Sequence, residues 1–156
     1  MNVAQKEFYL TKDGIEKLKL ELEDLIKNKR IEIAARLKEA KEYGDLSENV
    51  QYDDAKDQQA FIEGRIAELE HILRYAKEIK SPKKSDNVTL GSTVHLEIEG
   101  GKHRYTIVGS TEANPDEGKI SNESPIGRAL LGRKHGDEVE IEVPSGTMVY
   151  KIVGIE

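Results

Sequence analysis

Two carboxylates three residues apart, Asp45 and Glu48, stand in the stretch Gly44-Asp45-Leu46-Ser47-Glu48-Asn49. Carboxylate oxygens suit hard divalent cations, and a cation held by them can orient and activate a water for phosphodiester hydrolysis. The same spacing has a plainer use. Asp at a helix N-cap with Glu three positions on resembles a capping box, which satisfies free backbone N–H groups. Asp53 and Asp57, one helical turn apart, offer further oxygens or simply an exposed acidic face. No His, Lys or Cys adjoins the pair to activate a nucleophile, and no apolar run encloses it to raise a carboxylate pKa. A turn of this kind cannot exclude water on its own. Chemistry by Asp45 and Glu48 is therefore expected inside a partner's cavity, where they would complete the oxygen shell of a metal already held there.

The flanking segments must position this turn. Thr11 reads as a helix N-cap with Asp13 in the favourable first turn, and Gly14 weakens that turn. Ile15, Leu18, Leu22 and Leu25 then recur at spacings of three and four, the pattern of a buried seam. Beyond Leu25 the register skips to Ile33, Leu37 and Ala40, a stutter that should relax the supercoil locally. Gly44 can end this helix in a left-handed conformation. A second periodic run follows through Ala55, Ile62, Ile66, Leu69, Leu73 and Ala76. If the chain folds back at about Leu46, Ile66 and Leu69 come level with Ile26 and Leu22. The two runs then form an antiparallel hairpin with Asp45 and Glu48 at its tip. Helices of about 30 residues give a rod of ~45 Å, with the alanine-seamed tip half the less stable end.

The composition agrees with a solvated helical element. Charged residues make up 35% of the 156 and aromatics 5%. There is no cysteine, and His71, His95, His103 and His135 lack ligand spacing, so neither a disulfide framework nor a cysteine-ligated zinc is possible. No signal-peptide run and no apolar stretch of ~18 residues is present, which makes a cytoplasmic protein the expectation, away from any membrane. The formal net charge of −6 disfavours wrapping a nucleic acid duplex. The run Lys27, Lys29, Arg30, Arg36 and Lys38 is either a solvated face or a local contact with RNA or an acidic protein wall.

Ser81-Pro82-Lys83-Lys84-Ser85-Asp86-Asn87 breaks the helical pattern and marks a boundary between domains 1–80 and 81–156. The period changes to two after it. Val94, Leu96 and Ile98 alternate with polar residues, Gly100-Gly101 turns the chain, and Tyr105 and Ile107 continue the alternation. Ser124-Pro125 reads as an N-cap and first helical residue of a short helix closed by Gly132. Strands through Val139 to Val143 and Met148 to Ile155 complete a small α+β domain, with the helix on one face of an antiparallel sheet.

The tip stretch, with Tyr52, Ala55-Lys56, Gln59, Phe61 and Glu63-Gly64-Arg65-Ile66, resembles the tip and second helix of the bacterial Gre transcript-cleavage factors, of the GreA type. Gly118-Lys119-Ile120-Ser121, Ser124-Pro125-Ile126 and Ala129-Leu130-Leu131-Gly132 are similar to the same family, so the resemblance runs from about Leu10 to Ile155. It implies a long antiparallel two-helix coiled coil followed by an FKBP-like α+β domain, an accessory factor of bacterial RNA polymerase. The coiled coil would enter the polymerase's secondary channel, where Asp45 and Glu48 would help hold the catalytic Mg2+. The polymerase would then cleave the 3' end of backtracked nascent RNA. By the same resemblance no cofactor is bound alone, Ser47 and Asn49 support the tip, Ser124 and Pro125 belong to a polymerase-docking site, and Lys29, Arg30 and Arg36 face RNA. The free protein is expected to be a monomer. Where the family pattern has a second glutamate before the tyrosine, this chain has Gln51, one negative charge fewer. Two other readings stand beside this one. One is a channel-occupying inhibitor of the polymerase without cleavage activity; the other is a prolyl isomerase, which residues 81–156 disfavour because Tyr105 and Tyr150 are their only aromatics.

Overall fold

The computed structural model describes residues 6–44, 49–80 and 86–156. Strand β1 (Phe8–Leu10) leads into α1 (Lys12–Asp24), a π-helical turn (Leu25–Lys29) and α2 (Arg30–Glu42), which together make one continuous helix. The second arm is α3 (Val50–Arg74), 25 residues or about 37 Å long. Strands β2 (Ala76–Glu78), β3 (Thr93–Ile98), β4 (Gly101–Val108) and β5 (Lys119–Ser121), helix α4 (Pro125–Leu130), and strands β6 (Glu138–Val143) and β7 (Gly146–Ile155) follow.

The chain divides into two compact units. Ile15–Tyr75 forms one, and the N-terminal residues up to Gly14 join Ala76–Glu156 in the other. The boundary expected after residue 80 adjoins residues 81–85, which lie outside the described residues. Strand β1 pairs in parallel with β2, Phe8 opposite Ala76 and Leu10 opposite Glu78, which joins the N-terminal residues to the second unit. Ala76 is therefore a strand residue and not, as its spacing suggests, the last seam position of the second helix. That helix ends at Arg74, and Tyr75 caps it with an N–H to the His71 carbonyl. A three-residue strand is too short to show an alternation, so β1, β2 and β5 are invisible to pattern reading.

In the helical unit the seams fall largely where the spacing puts them, except that on the second arm Ile72 is buried where the spacing points to Leu73, which is half-buried. Ile33 and Ala40 on one arm and Ala55, Ile66, Leu69 and Ile72 on the other are buried. The interruption after Leu25 takes a specific form: the Arg30 N–H reaches the Leu25 carbonyl five residues back, so one wide π turn absorbs the register change. Arg30 then stands opposite Glu63, as folding back near Leu46 requires.

In the other unit five strands run in the order β5-β4-β3-β7-β6. All neighbours are antiparallel except the β4–β5 pair, so the expected antiparallel sheet carries one parallel edge. The alternation predicted for β3 holds, with Val94, Leu96 and Ile98 buried. They pack with Val88, Ile107, Val139, Ile141, Tyr150 and Ile152, and α4 seals this core through Leu130.

Thr11 caps α1 as expected, its Oγ1 accepting from the Gly14 N–H at 3.0 Å. The sequence does not reveal what lies over it. Glu112, from a 3-10 turn after β4, accepts hydrogen bonds from both the Thr11 N–H and the Thr11 hydroxyl, each at 2.6 Å. A Cβ on Gly14 would lie 2.2 Å from the Glu112 Oε1. Gly14 is thus present for close approach, and its cost in helix propensity is offset by the latch it admits. Gly→Ala inside a helix ordinarily stabilises by about 1 kcal/mol. Gly14→Ala should instead lower the thermal midpoint, because charged hydrogen bonds of about 1.5–3 kcal/mol each are disturbed. In a Glu112→Ala background the same substitution should become stabilising, and a double-mutant cycle by urea unfolding reads the change of sign.

Candidate functional site at the hairpin tip

At the tip, Gly44 takes φ +109°, a conformation open chiefly to glycine, directly after the α2 cap residue Tyr43. Asp45, Leu46, Ser47 and Glu48 lie outside the described residues. The helix cap expected at Asp45 is found at Asn49, whose backbone is extended and whose Oδ1 accepts from the Tyr52 N–H at 3.1 Å. Asp53 occupies the first turn, where a carboxylate favours the helix dipole. The capping-box reading fails because α3 begins at Val50, so Glu48 precedes the cap. Asn is as good a cap as Asp, and nothing in local spacing separates them.

Asn49 also does something a cap alone does not. Its Nδ2 donates to the Ala40 carbonyl at 2.6 Å, and the same carbonyl accepts from the Tyr43 N–H at 3.3 Å. One side chain therefore closes α3 and ties it to the last turn of α2. The buried Ala40 and Ala55 nearby keep side-chain bulk out of the seam. Beside the clasp, Arg36, Glu39, Ala40, Gln51 and Asp54 line an open polar cleft of about 300 Å³. Gln51 is exposed there, and Asp53 and Asp57 are exposed on α3. No group of three or more His, Cys, Asp or Glu side chains among the described residues is arranged to hold a metal.

Four residues of the basic run, Lys27, Lys29, Arg30 and Arg36, are engaged within the hairpin. Lys27 pairs with Glu23, Lys29 meets Glu32 at 3.3 Å, and Arg36 hydrogen-bonds Gln58. Arg30 grips Glu63 with two hydrogen bonds of 2.7 Å. Arg65, which pattern reading did not single out, makes a similar two-point contact to Glu21 at 2.6 and 3.0 Å and a third bond to Glu68 at 2.8 Å. These bonds, Glu21 first, hold its guanidinium above its ordinary pKa. In the sheet unit, the Ser124 hydroxyl caps α4 by accepting from the Gly127 N–H at 3.0 Å, and it donates to the Ser121 carbonyl at 2.7 Å. Pro125 opens that helix and is exposed. A second cleft, of about 420 Å³, is lined by Asp86, Lys134, His135 and Ile155, none of them an aromatic that would build a proline pocket. No helix among the described residues is long and apolar enough to cross a membrane.

A helical hairpin clasped by Asn49 stands in one chain with a small α+β unit, and each part has known relatives. Residues 8–77 match the family model for the transcription elongation factor N-terminal domain, and residues 82–156 match the GreA/GreB C-terminal model. The chain belongs to the GreA/GreB family of transcription elongation factors. It is 48% identical over 156 residues to the transcription elongation factor GreA of Thermomicrobium roseum, covering 99% of this chain and all of that one. It is 52% identical over 158 residues to the GreA of a Roseiflexus species, again covering 99% and all. The crystal structure of GreA factor homolog 1 of Thermus thermophilus aligns over 97% of this chain and 99% of that one, at 35% identity and a TM-score of 0.45.

Asn49→Ala should cost about 0.5–2 kcal/mol through the lost cap and leave the Ala40 carbonyl without its stronger donor. Amide exchange should accelerate at Tyr52 and the first turn of α3 more than at Leu69. The Arg30–Glu63 pair is testable by pH. Hydrogen bonding from Arg30 lowers the Glu63 pKa from its ordinary 4.5, so the pair's contribution is full above that value and is lost as pH falls through the lowered one. Glu63→Gln should therefore lower the thermal midpoint slightly at neutral pH and by nothing in acid well below 4.5. Added salt should also shrink the effect, because the pair is exposed.

Proposed function

We propose that the chain binds bacterial RNA polymerase, passes its helical hairpin into the secondary channel, and stimulates the polymerase's own endonucleolytic cleavage of backtracked nascent RNA. The chain performs no hydrolysis alone. Asp45 and Glu48 act in trans, offering carboxylate oxygens towards the Mg2+ of the polymerase active site, and the protein works as a monomer in the cytoplasm. The observation that carries this reading is the Asn49–Ala40 clasp. It holds together the two chain ends, Gly44 and Asn49, between which both carboxylates lie. The membership of the chain in a family of transcription elongation factors supports the same role.

The donor set fits such a cation in type, since a hard divalent ion prefers carboxylate oxygen. When bound, it polarises an attacking water and balances charge on the phosphate. This chain's own part is to deliver two acids at the end of a narrow helical support. Ser47 and Asn49 support the tip, and Ser124 and Pro125 dock the α+β unit on the polymerase. With the Ser124 hydroxyl used within the chain, the exposed Pro125 ring is the surface such docking would meet. Lys29, Arg30 and Arg36 would reach RNA only by exchanging their partners within the hairpin.

Added to backtracked polymerase complexes, the protein should release short 3' RNA fragments. Asp45→Asn and Glu48→Gln should each slow that release by about 10- to 100-fold, the range typical of removing a supporting group from a metal site. Their thermal midpoints should stay close to that of the unsubstituted protein. Full cleavage by both variants would return the pair to a structural role. Slowed nucleotide addition with no fragments would identify a channel-occupying inhibitor instead.

A further inference from the structure

Tyr43 stands 71% exposed at the end of α2, immediately before Gly44. Val50, the first residue of α3, is 70% exposed across the turn. Single exposed apolar residues are ordinary on protein surfaces. Tyr43 differs in how it is held. The carbonyl that receives its N–H also receives the Asn49 side chain, so the backbone carrying the ring is tied to the cap of the opposite helix. Its ring takes part in none of the ring contacts of the described residues. A tyrosine has few rotatable bonds, and one on an anchored backbone offers a flat face at small entropic cost.

Its place in the chain sets what that face can meet. Tyr43 is two residues from Asp45, so their Cα atoms can be no more than about 7 Å apart whatever path the turn takes. A strand whose phosphate lies at the carboxylates has its base within reach of the ring. Lys41, on the same last turn, is exposed and adds positive charge of the kind that meets phosphate. We propose that Tyr43 is a substrate-positioning residue that stacks on an unpaired base of the RNA being cleaved. The proposal rests on the functional reading above. Stacking tolerates any base, because every base has a π face, and it acts by holding the strand beside the acids without entering the bond-breaking step.

The test uses the full-length protein and backtracked polymerase complexes whose extruded RNA carries either natural bases or abasic ribose. With factor below saturation, the unsubstituted protein should cleave the natural RNA about 5- to 150-fold faster than the abasic one. Tyr43→Ala should cleave both at the abasic rate, Tyr43→Phe should restore the preference, and Tyr43→Leu should not. Affinity for polymerase without extruded RNA, read by competition, should be unchanged in all three. Retention of the full base preference by Tyr43→Ala would overturn the proposal. So would a loss of polymerase affinity without RNA, which would show the ring docking on protein. If the unsubstituted protein cleaves neither RNA, the cleavage reading itself falls, an outcome distinct from cleavage that ignores the base.

Discussion

Two helices with no third layer can bury only the stripe that each turns towards the other, and that constraint governs the helical unit. Ile33 and Ala40 on one arm and Ala55, Ile66, Leu69 and Ile72 on the other are buried, and most of the remaining surface is left to water. Its charge-rich composition is a consequence. The constraint also explains the π turn at Leu25–Lys29. A seam one residue out of phase would rotate Ile33 into solvent, and widening one turn brings it back without ending the helix. On the flanks, Arg30 with Glu63 and Arg65 with Glu21 join one arm to the other. Exposed pairs of this kind add little stability, but their two-point geometry selects one alignment of the arms.

Near the tip the seam narrows to alanine, and polar geometry takes over from apolar burial. The Ala40 carbonyl lies four residues from the chain's reversal, and Asn49 satisfies it while capping the next helix. A hairpin end held only by burial would fray first. Here one bifunctional side chain, Asn49, holds it instead.

In the second unit most candidate surface groups already have work inside the fold. Glu112 secures Thr11, and Ser124 secures both Gly127 and Ser121. The Ser124 hydroxyl is thus engaged within the fold, while the Pro125 ring beside it is exposed. Gly14 shows the same interdependence. A residue that weakens a helix when read locally is the one that lets a distant carboxylate close over the helix start.

Much of this was determined by sequence alone, wherever a pattern repeats. The two seams, the β3–β4 hairpin about Gly100-Gly101, the Ser124-Pro125 start of α4 and the strands around Ile141 and Ile152 are periodic or carry turn chemistry that acts within a few residues. The motif at 44–49 sufficed to indicate the family. Tertiary structure decided what depends on contacts between distant residues. It moved the cap from Asp45 to Asn49, since only the opposite arm supplies the Ala40 carbonyl. It made Ala76 a strand residue, since only β1 supplies its partner. It also gave Gly14 its reason, since Glu112 lies about a hundred positions away. Local propensity cannot rank such alternatives, because their energies lie in partners that the neighbouring sequence does not contain.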